Sequence, residues 1–241
     1  MYQEAFLRQE MLLGQEAMER LSQAHVIVFG IGGVGSYVAE GLARAGVGEL
    51  SLVDSDTVGI SNLNRQLCAL HSTLGQYKSD VMAQRVLDIN PECKVRSLPL
   101  LYNEENKDAF FDRPYDFIVD AIDLVSCKLS LIQNARERNI PIISAMGTGN
   151  KLDPTQFCIT DISKTCGCHL ARIMRKELRN RGIYDHKVLY SQELPRKPME
   201  AEEPPPGRRS IPGSLSWVPS VAGLMLAGYV VQQIAGINEG K

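Results

Sequence analysis

The chain has 241 residues, of which 44% are hydrophobic and 22% charged, and its formal net charge is −2 at pH 7. This composition excludes a wholly disordered chain, because the apolar fraction is large enough to bury a core. The near-zero charge argues against a uniformly basic nucleic-acid-binding protein, although an average can conceal a local patch. The length allows one large domain, or a core with an appendage.

Hydrophobic periodicity predicts strands and helices that alternate along most of the chain. After an amphipathic N-terminal helix, strands are predicted at residues 25–30, 49–54, 94–98, 116–120, 140–145 and 156–161, with helices at 36–45, 76–89 and 124–138. Strands separated by helices of about 10 to 15 residues are typical of right-handed crossovers between parallel strands. We therefore expect a Rossmann-like, doubly wound α/β fold with a mostly parallel sheet and a C-terminal extension of helices and loops.

The chain changes character after residue 163. A basic helix is predicted at 170–181 and a short strand at 188–190, while residues 195–213 hold six of the twelve prolines and are expected to form a mobile loop. Residues 164–209 contain 11 Lys and Arg against six Asp and Glu, so they carry +5 and the remainder carries −7. We divide the chain into an α/β core with its N-terminal helix at 1–163 and an extension at 164–241 that packs on it as one domain.

The predicted basic helix allows two interpretations. It presents Arg172, Arg175, Lys176 and Arg179. These side chains form either a solvated helix face or a surface that contacts RNA phosphates.

One long apolar stretch, residues 218–237, bears on the cellular location. Ser220, Gln232, Gln233 and three glycines interrupt it, which favours a packed helix over a membrane anchor. Six scattered cysteines with no signal-peptide pattern before them predict a reducing cytoplasm. Peripheral association with a membrane is the less favoured alternative.

A glycine-rich turn follows the first predicted strand. It reads Gly30-Ile-Gly32-Gly33-Val-Gly35, and Asp54 ends the next strand. Such a turn lets a phosphate approach the backbone at the start of a helix, and a carboxylate in the position of Asp54 accepts hydrogen bonds from ribose hydroxyls. The pattern predicts a nucleotide site but suits NAD as well as ATP, so an oxidoreductase remains open at this point.

Two cations, Arg65 and Lys78, lie beyond the second strand. Lys78 falls in the first turn of a predicted helix, where the helix dipole disfavours a cation unless an anion lies nearby. Since both residues follow strand ends at the ligand-binding edge, they are candidates to clamp a triphosphate and to stabilise charge during displacement at the α-phosphate. A dinucleotide dehydrogenase has no need of this second pair.

Two carboxylates, Asp120 and Asp123, end the fourth predicted strand. A carboxylate that faces phosphates is a suitable Mg²⁺ ligand, and we expect Asp123 to project further into the cleft. The alternative is that Asp123 only caps the helix at 124–138.

Together these motifs resemble the adenylating superfamily of ubiquitin-activating enzymes and bacterial activators of sulfur-carrier proteins. The resemblance rests on the glycine turn, Asp54-x-Asp56, Ser61-Asn-Leu-Asn-Arg-Gln66, Lys78, Asn90-Pro91 and Asp120-x-x-Asp123. Four further segments are similar to the tRNA threonylcarbamoyladenosine dehydratase family: Ile162-Ser-Lys-Thr165, the basic helix, Val188-Leu-Tyr-Ser191 and Val218-Pro-Ser-Val-Ala-Gly223. The resemblance spans nearly the whole chain.

The resemblance implies an ATP-dependent dehydration of a modified adenosine beside the tRNA anticodon. The threonyl carboxylate is adenylated, and the ureido group then expels AMP and closes a ring. The resemblance also implies a homodimer in which Arg8 reaches the phosphates of the partner subunit. The candidate nucleotide site comprises Arg8, Gly30, Gly32, Gly33, Gly35, Asp54, Asp56, Ser61, Asn62, Arg65, Gln66, Lys78, Asp123 and Leu124. Within it, Arg65, Lys78 and Asp123 are the candidate catalytic residues, and Asp123 is the candidate Mg²⁺ ligand.

The chain departs from the family at Cys166-Gly-Cys168-His169, where an Asp-Pro is usual. A metal site, a sulfur-relay role and inert loop cysteines are all open for this segment. The paired Cys-x-x-Cys motifs that bind zinc in sulfur-carrier activators are missing from the sequence, which argues against that branch. Activation of a ubiquitin-like sulfur carrier's C-terminus, with a sulfur-transfer protein as partner, stays the alternative function.

Overall fold

The computed structural model describes residues 2–199 and 212–237, so part of the predicted loop at 195–213 lies outside the described residues. The strands are β1 (His25–Phe29), β2 (Glu49–Val53), β3 (Lys94–Leu98), β4 (Phe117–Asp120), β5 (Ile142–Ala145), β6 (Phe157–Asp161) and β7 (Lys187–Ser191). The α-helices are α1 (Tyr2–Leu13), α2 (Gln15–Gln23), α3 (Gly35–Arg44), α4 (Lys78–Ile89), α5 (Val125–Glu137), α6 (His169–Asn180) and α7 (Trp217–Ala235).

All seven strands form one sheet in the order β3-β2-β1-β4-β5-β7-β6. The pairings from β3 across to β7 are parallel, and β6 runs antiparallel to β7. The predicted doubly wound, mostly parallel α/β fold is confirmed. Because the chain order reverses between β1 and β4, a crevice opens at the carboxyl ends of these strands, which is where such sheets bind ligands.

β7 shows how the C-terminal extension joins the core. It pairs with β5 on one side and with β6 on the other, and Val188 and Leu189 are fully buried. Residues on both sides of position 163 therefore share one sheet.

The predicted single N-terminal helix is wrong in one respect, because it is two helices. Gly14 separates α1 from α2 and has a φ of 81°, a conformation that glycine adopts without steric cost. The break lets Phe6 from α1 and Met18 and Leu21 from α2 pack into the same core.

α7 packs against α3 at close range because small residues line their contact. A Cβ on Gly223 would lie 2.4 Å from the Val34 carbonyl oxygen, and a Cβ on Gly41 would lie 2.6 Å from Ala227 Cβ. Ala222 is fully buried in the same face. By length and composition alone α7 could also cross a membrane, but this face covers α3, as expected of a packed helix.

Candidate nucleotide site

In the glycine loop between β1 and α3, two glycines lie so close to backbone carbonyl oxygens that no side chain would fit. Gly30 has a φ of 86°, and a Cβ there would lie 2.6 Å from the Ala121 carbonyl oxygen. A Cβ on Gly35 would lie 1.7 Å from the Gly30 carbonyl oxygen. At Gly32 the nearest atom to an added Cβ is Gln66 Nε2, at 3.8 Å. Gly32 is therefore less crowded than Gly30 and Gly35, and we expect a phosphate to approach the backbone there.

Asp54, at the end of β2, anchors this loop. Its Oδ2 accepts a hydrogen bond from the Ile31 amide at 2.6 Å, and its Oδ1 accepts one from the Asp56 amide at 2.8 Å. Burial raises the pKa of the Asp54 carboxyl, against the opposing effects of these bonds and of the Lys78 charge. Since a carboxylate has about four lone-pair sites, Asp54 keeps capacity for ribose hydroxyls. The anchoring role is one that the sequence did not reveal.

Lys78 is the first residue of α4 and is only 5% exposed. Its Nζ lies 2.8 Å from Asp56 Oδ2, and its amide donates to the Asp56 carbonyl oxygen at 3.0 Å. Asp56 therefore supplies the anion that a lysine at a helix N-terminus requires. Because the Asp56 side chain is 69% exposed, the pair is screened by water and phosphate oxygens can compete for the ammonium.

Arg65 is held by neutral acceptors. Its Nη1 donates to the Ser61 carbonyl oxygen at 2.8 Å and to Asn64 Oδ1 at 2.9 Å, and it forms no ion pair with any carboxylate that the structure describes. Its charge is thus available to an anionic ligand. Asn62 shapes the same loop, because its Oδ1 accepts a hydrogen bond from the Gly59 amide at 3.0 Å. Gln66 is buried, and its Nε2 lies 3.8 Å from a Cβ placed on Gly32 of the glycine loop.

The two carboxylates at the carboxyl end of β4, Asp120 in the strand and Asp123 after it, have different environments. Asp120 is fully buried, with Oδ2 2.9 Å from Lys128 Nζ. Asp123 is exposed and has no hydrogen bond or ion pair with any described residue. The alternative that Asp123 caps the next helix is wrong, because Leu124 holds the N-cap position and α5 begins at Val125. Asp123 is therefore the carboxylate of this pair that can bind a cation.

The start of α7 also borders the site, which sequence reasoning missed. A Cβ on Gly33 would lie 3.2 Å from Pro219 Cβ, and Asn64 Nδ2 donates to the Ser214 carbonyl oxygen at 3.0 Å. Trp217 Nε1 donates to the Leu152 carbonyl oxygen at 2.8 Å, which ties the same segment to the chain after β5. The Val-Pro motif is the signal in the sequence, but it carries no reactive group that would place it at a site.

Arg8 is not brought to the other candidate residues within this chain. It is exposed on α1 and has no hydrogen bond or ion pair with any described residue. Leu7, Met11 and Leu12 on the same helix are exposed as well. α1 therefore offers an apolar surface around an arginine that has no partner among the residues that the structure describes.

The side chains of Cys166, Cys168 and His169 do not come together at one site. Cys166 is exposed with Sγ 3.8 Å from the Tyr190 hydroxyl, whereas Cys168 is buried. His169 Nδ1 contacts Arg172 Nη2 at 3.0 Å. Among the described residues, no three Cys, His, Asp or Glu side chains are grouped to hold a metal.

α6 presents an exposed basic stripe, although not with all four predicted cations. Arg172, Lys176 and Arg179 are exposed and form no ion pair with a described carboxylate; we call these three the α6 stripe. Arg175 turns inward and donates to the Thr165 carbonyl oxygen and Oγ1, each at 2.7 Å. The interpretation of Arg175 as a surface residue is therefore wrong, because it ties α6 to the preceding turn.

Comparisons with known proteins find matches along nearly the whole chain. The model of the ThiF family matches residues 6–241. The tRNA threonylcarbamoyladenosine dehydratase of Bacillus subtilis is 45% identical over 238 residues, which cover 95% of this chain and 94% of that protein. The crystal structure of E. coli tRNA N6-threonylcarbamoyladenosine dehydratase in complex with ATP superposes with a TM-score of 0.87 at 32% identity, over 97% of this chain and 95% of the other. A sulfur carrier protein adenylyltransferase of Thermus thermophilus is 27% identical over 94% of this chain and 75% of that protein.

Proposed function

The chain belongs to the ThiF family, and we propose that it is an ATP-dependent tRNA threonylcarbamoyladenosine dehydratase. The observation that carries this proposal is the match to a dehydratase along nearly the full length of both proteins. The geometry agrees with it. Arg65 and Lys78 follow β2 in the chain and Asp123 follows β4, and both strands run parallel to β1, so their carboxyl ends share one edge of the sheet. A sulfur-carrier activator is the second candidate, and the Thermus relative favours it at a lower identity.

In the first step, a carboxylate oxygen of the threonyl group attacks the α-phosphorus of ATP. An acyl-adenylate forms and pyrophosphate leaves. Arg65 and Lys78 stabilise the charge that develops on the phosphate oxygens. Arg65 bonds neutral acceptors, and the carboxylate that pairs with Lys78 is exposed, so phosphate oxygens can compete for both cations. Asp54 orients the ribose while it holds the glycine loop.

Mg²⁺ fits beside Asp123. The cation prefers carboxylate and phosphate oxygens, and Asp123 is an exposed carboxylate without a described protein partner. When bound, Mg²⁺ neutralises charge on the triphosphate. Asp120 does not serve as a ligand, because Lys128 already occupies its buried carboxylate.

In the second step, the ureido group of the same nucleoside attacks the activated acyl carbon. AMP leaves, the ureido group loses a proton, and a ring closes, so the nucleoside has lost the elements of water. Because the substrate supplies both the carboxylate and the nucleophile, the reaction needs no enzyme thiol. The exposed Cys166 takes no part, and no sulfur-transfer partner is required.

The α6 stripe is the surface that we assign to the tRNA. Arg172, Lys176 and Arg179 extend over about 10 Å of helix, at 1.5 Å per residue. α6 begins beside the chain that follows β5, since Cys168 Sγ and Leu170 Cβ both lie 3.9 Å from a Cβ placed on Gly147. Unpaired cations on a helix that begins beside the carboxyl end of β5 can bind the phosphates that flank the modified nucleoside.

A homodimer completes the nucleotide site in this proposal. Arg8 has no partner in the described part of its own chain and lies among exposed Leu7, Met11 and Leu12. Burial of this apolar surface against a second copy would carry Arg8 to the phosphates of the other subunit. The protein acts in the cytoplasm, which agrees with a tRNA substrate and with six free cysteines.

The experiment that separates the two candidate functions compares two acceptors. With ATP and tRNA that carries the linear modification, the protein should release pyrophosphate and AMP in equal amounts. Release of pyrophosphate only when a ubiquitin-like carrier protein is added would overturn the proposal and favour the second function.

A further inference from the structure

An ion pair that the proposed reaction does not use lies directly below the site. Asp120, the last residue of β4, and Lys128, in the first turn of α5, are both completely buried, with Oδ2 and Nζ 2.9 Å apart. Neither atom has another hydrogen-bond partner among the described residues. Ser144 lies next to Asp120 in the sheet, and its hydroxyl is bonded to His186 Nε2 at 2.8 Å. Each charge therefore depends on the other.

This pair holds the short connection from β4 to α5, residues 121–124. Asp120 Oδ1 accepts a hydrogen bond from the Ile122 amide at 3.1 Å, so the carboxylate bridges Lys128 and the connection. The Ala121 amide donates to the Phe29 carbonyl oxygen at 2.8 Å. The connection is thus bonded to the ends of both central strands.

The same connection contacts the nucleotide site on two sides. The carbonyl oxygen of Ala121 is the atom that excludes a side chain from Gly30, and Ala121 Cβ lies 3.4 Å from a Cβ placed on Gly35. Asp123 is two residues further along. A shift of the connection would therefore move the wall of the glycine loop and the Asp123 carboxylate together.

Stability alone does not explain this arrangement. Transfer of two charges from water into a core is costly, and well-packed apolar residues often stabilise a fold at least as well. A lysine in the first turn of a helix is also disfavoured by the helix dipole. The pair lies where two nucleotide-binding segments meet, which indicates a functional constraint.

We propose that Lys128 is a positioning residue for nucleotide binding. It orients Asp120, and Asp120 holds residues 121–124 so that the glycine loop and Asp123 face the same ligand. The inference rests on the proposed function, since ATP is the ligand that is positioned. Lys128 itself is buried and contacts no substrate.

The test measures ATP affinity by calorimetry, without tRNA, in the full chain with Mg²⁺ present. Lys128→Met should weaken ATP binding at least about ten-fold, in the range typical of lost supporting contacts, and Lys128→Arg should restore most of it. Hydrogen exchange measured by mass spectrometry should rise in the peptide that contains residues 121–124. A matched control is Glu40→Gln, which removes a buried carboxylate paired with Arg44 and Arg85 away from this connection. It should lower the melting temperature without changing ATP affinity.

Several outcomes would overturn the inference. They are wild-type ATP affinity in folded Lys128→Met, no rescue by Lys128→Arg, or an equal loss of affinity in Glu40→Gln. If Lys128→Met does not fold, the double variant Asp120→Asn with Lys128→Met removes both charges and is measured in its place, with the same expected and contradicting results. If the wild-type chain does not bind ATP, both the inference and the proposed function are wrong.

Discussion

Two cations at the mouth of the crevice distinguish this site from a general dinucleotide fold. The sequence predicted Arg65 and Lys78 because the carboxyl ends of parallel strands share one edge. It could not predict their partners, since Asp56 and Ser61 become acceptors only through the conformations of their loops. The same limit applied to Asp120, whose neutralisation by Lys128 depends on how α5 packs.

Replacement of either cation tests its assignment. Arg65→Ala and Lys78→Ala should each lower the rate of AMP release at least about 10²-fold, because each removes stabilisation of charge in the transition state. Lys107→Ala is the control, since Lys107 pairs with Glu104 in another part of the chain. If either variant retains the wild-type rate, the residue that it replaces is not catalytic.

His186 allows a prediction about stability. Burial lowers the pKa of His186 to about 4, so the unfolded chain takes up a proton at higher pH than the folded chain. The free energy of unfolding should therefore decrease as pH falls through the interval from 6.5 to 4, by about 2 kcal/mol from this group between pH 7.5 and pH 5. Urea denaturation of wild type and His186→Gln at these two pH values measures it. The decrease should be about 2 kcal/mol smaller in the variant, and equal decreases would contradict the assignment.

At the scale of elements, periodicity predicted each strand, and the helices from α3 onwards, to within two residues. It could not place β7 between β5 and β6, because strand order depends on which edge a long connection returns to. Nor did it place the start of α7 at the glycine loop, since that contact depends on close approach at Gly33 and Gly223. Both failures concern contacts between residues far apart in the chain.

The α6 stripe carries the prediction that belongs to this scale. Replacement of Arg172, Lys176 and Arg179 by alanine should weaken tRNA binding at least about ten-fold and flatten its dependence on salt, because fewer counterions are released. ATP affinity should not change. Arg175→Ala is the matched control: it should lower the melting temperature through loss of the Thr165 contacts while the salt dependence stays the same. Unchanged tRNA affinity in the triple variant would make the stripe an ordinary solvated helix face.

The whole molecule combines a near-neutral total charge with opposite local charges. Residues 164–209 carry a net charge of +5 and the rest of the chain carries −7. RNA can therefore bind at one positively charged surface, although the bulk of the protein repels it. α1 adds a second surface, apolar and exposed, at the opposite end of the sequence. We therefore expect the functional unit to be a dimer in which each chain carries one RNA-binding surface.

A mixing experiment tests whether Arg8 acts across the dimer. Arg8→Ala and Lys78→Ala should each be inactive alone. Equal amounts mixed under conditions of subunit exchange should recover about a quarter of wild-type activity, because half of the dimers are mixed and one of their two sites has both residues. No recovery in a mixture shown to contain mixed dimers would mean that Arg8 acts within its own subunit, and wild-type activity in Arg8→Ala alone would mean that Arg8 takes no part.

The most direct test of the central claim is the mass of the nucleoside beside the anticodon. The protein is incubated with ATP and tRNA that carries the linear threonylcarbamoyl group, and the nucleosides are then analysed under conditions that preserve the ring. We expect the nucleoside to become lighter by one water in wild type and to remain unchanged in Lys78→Ala. An unchanged mass in wild type, with ATP bound and tRNA intact, would contradict the assignment as a dehydratase.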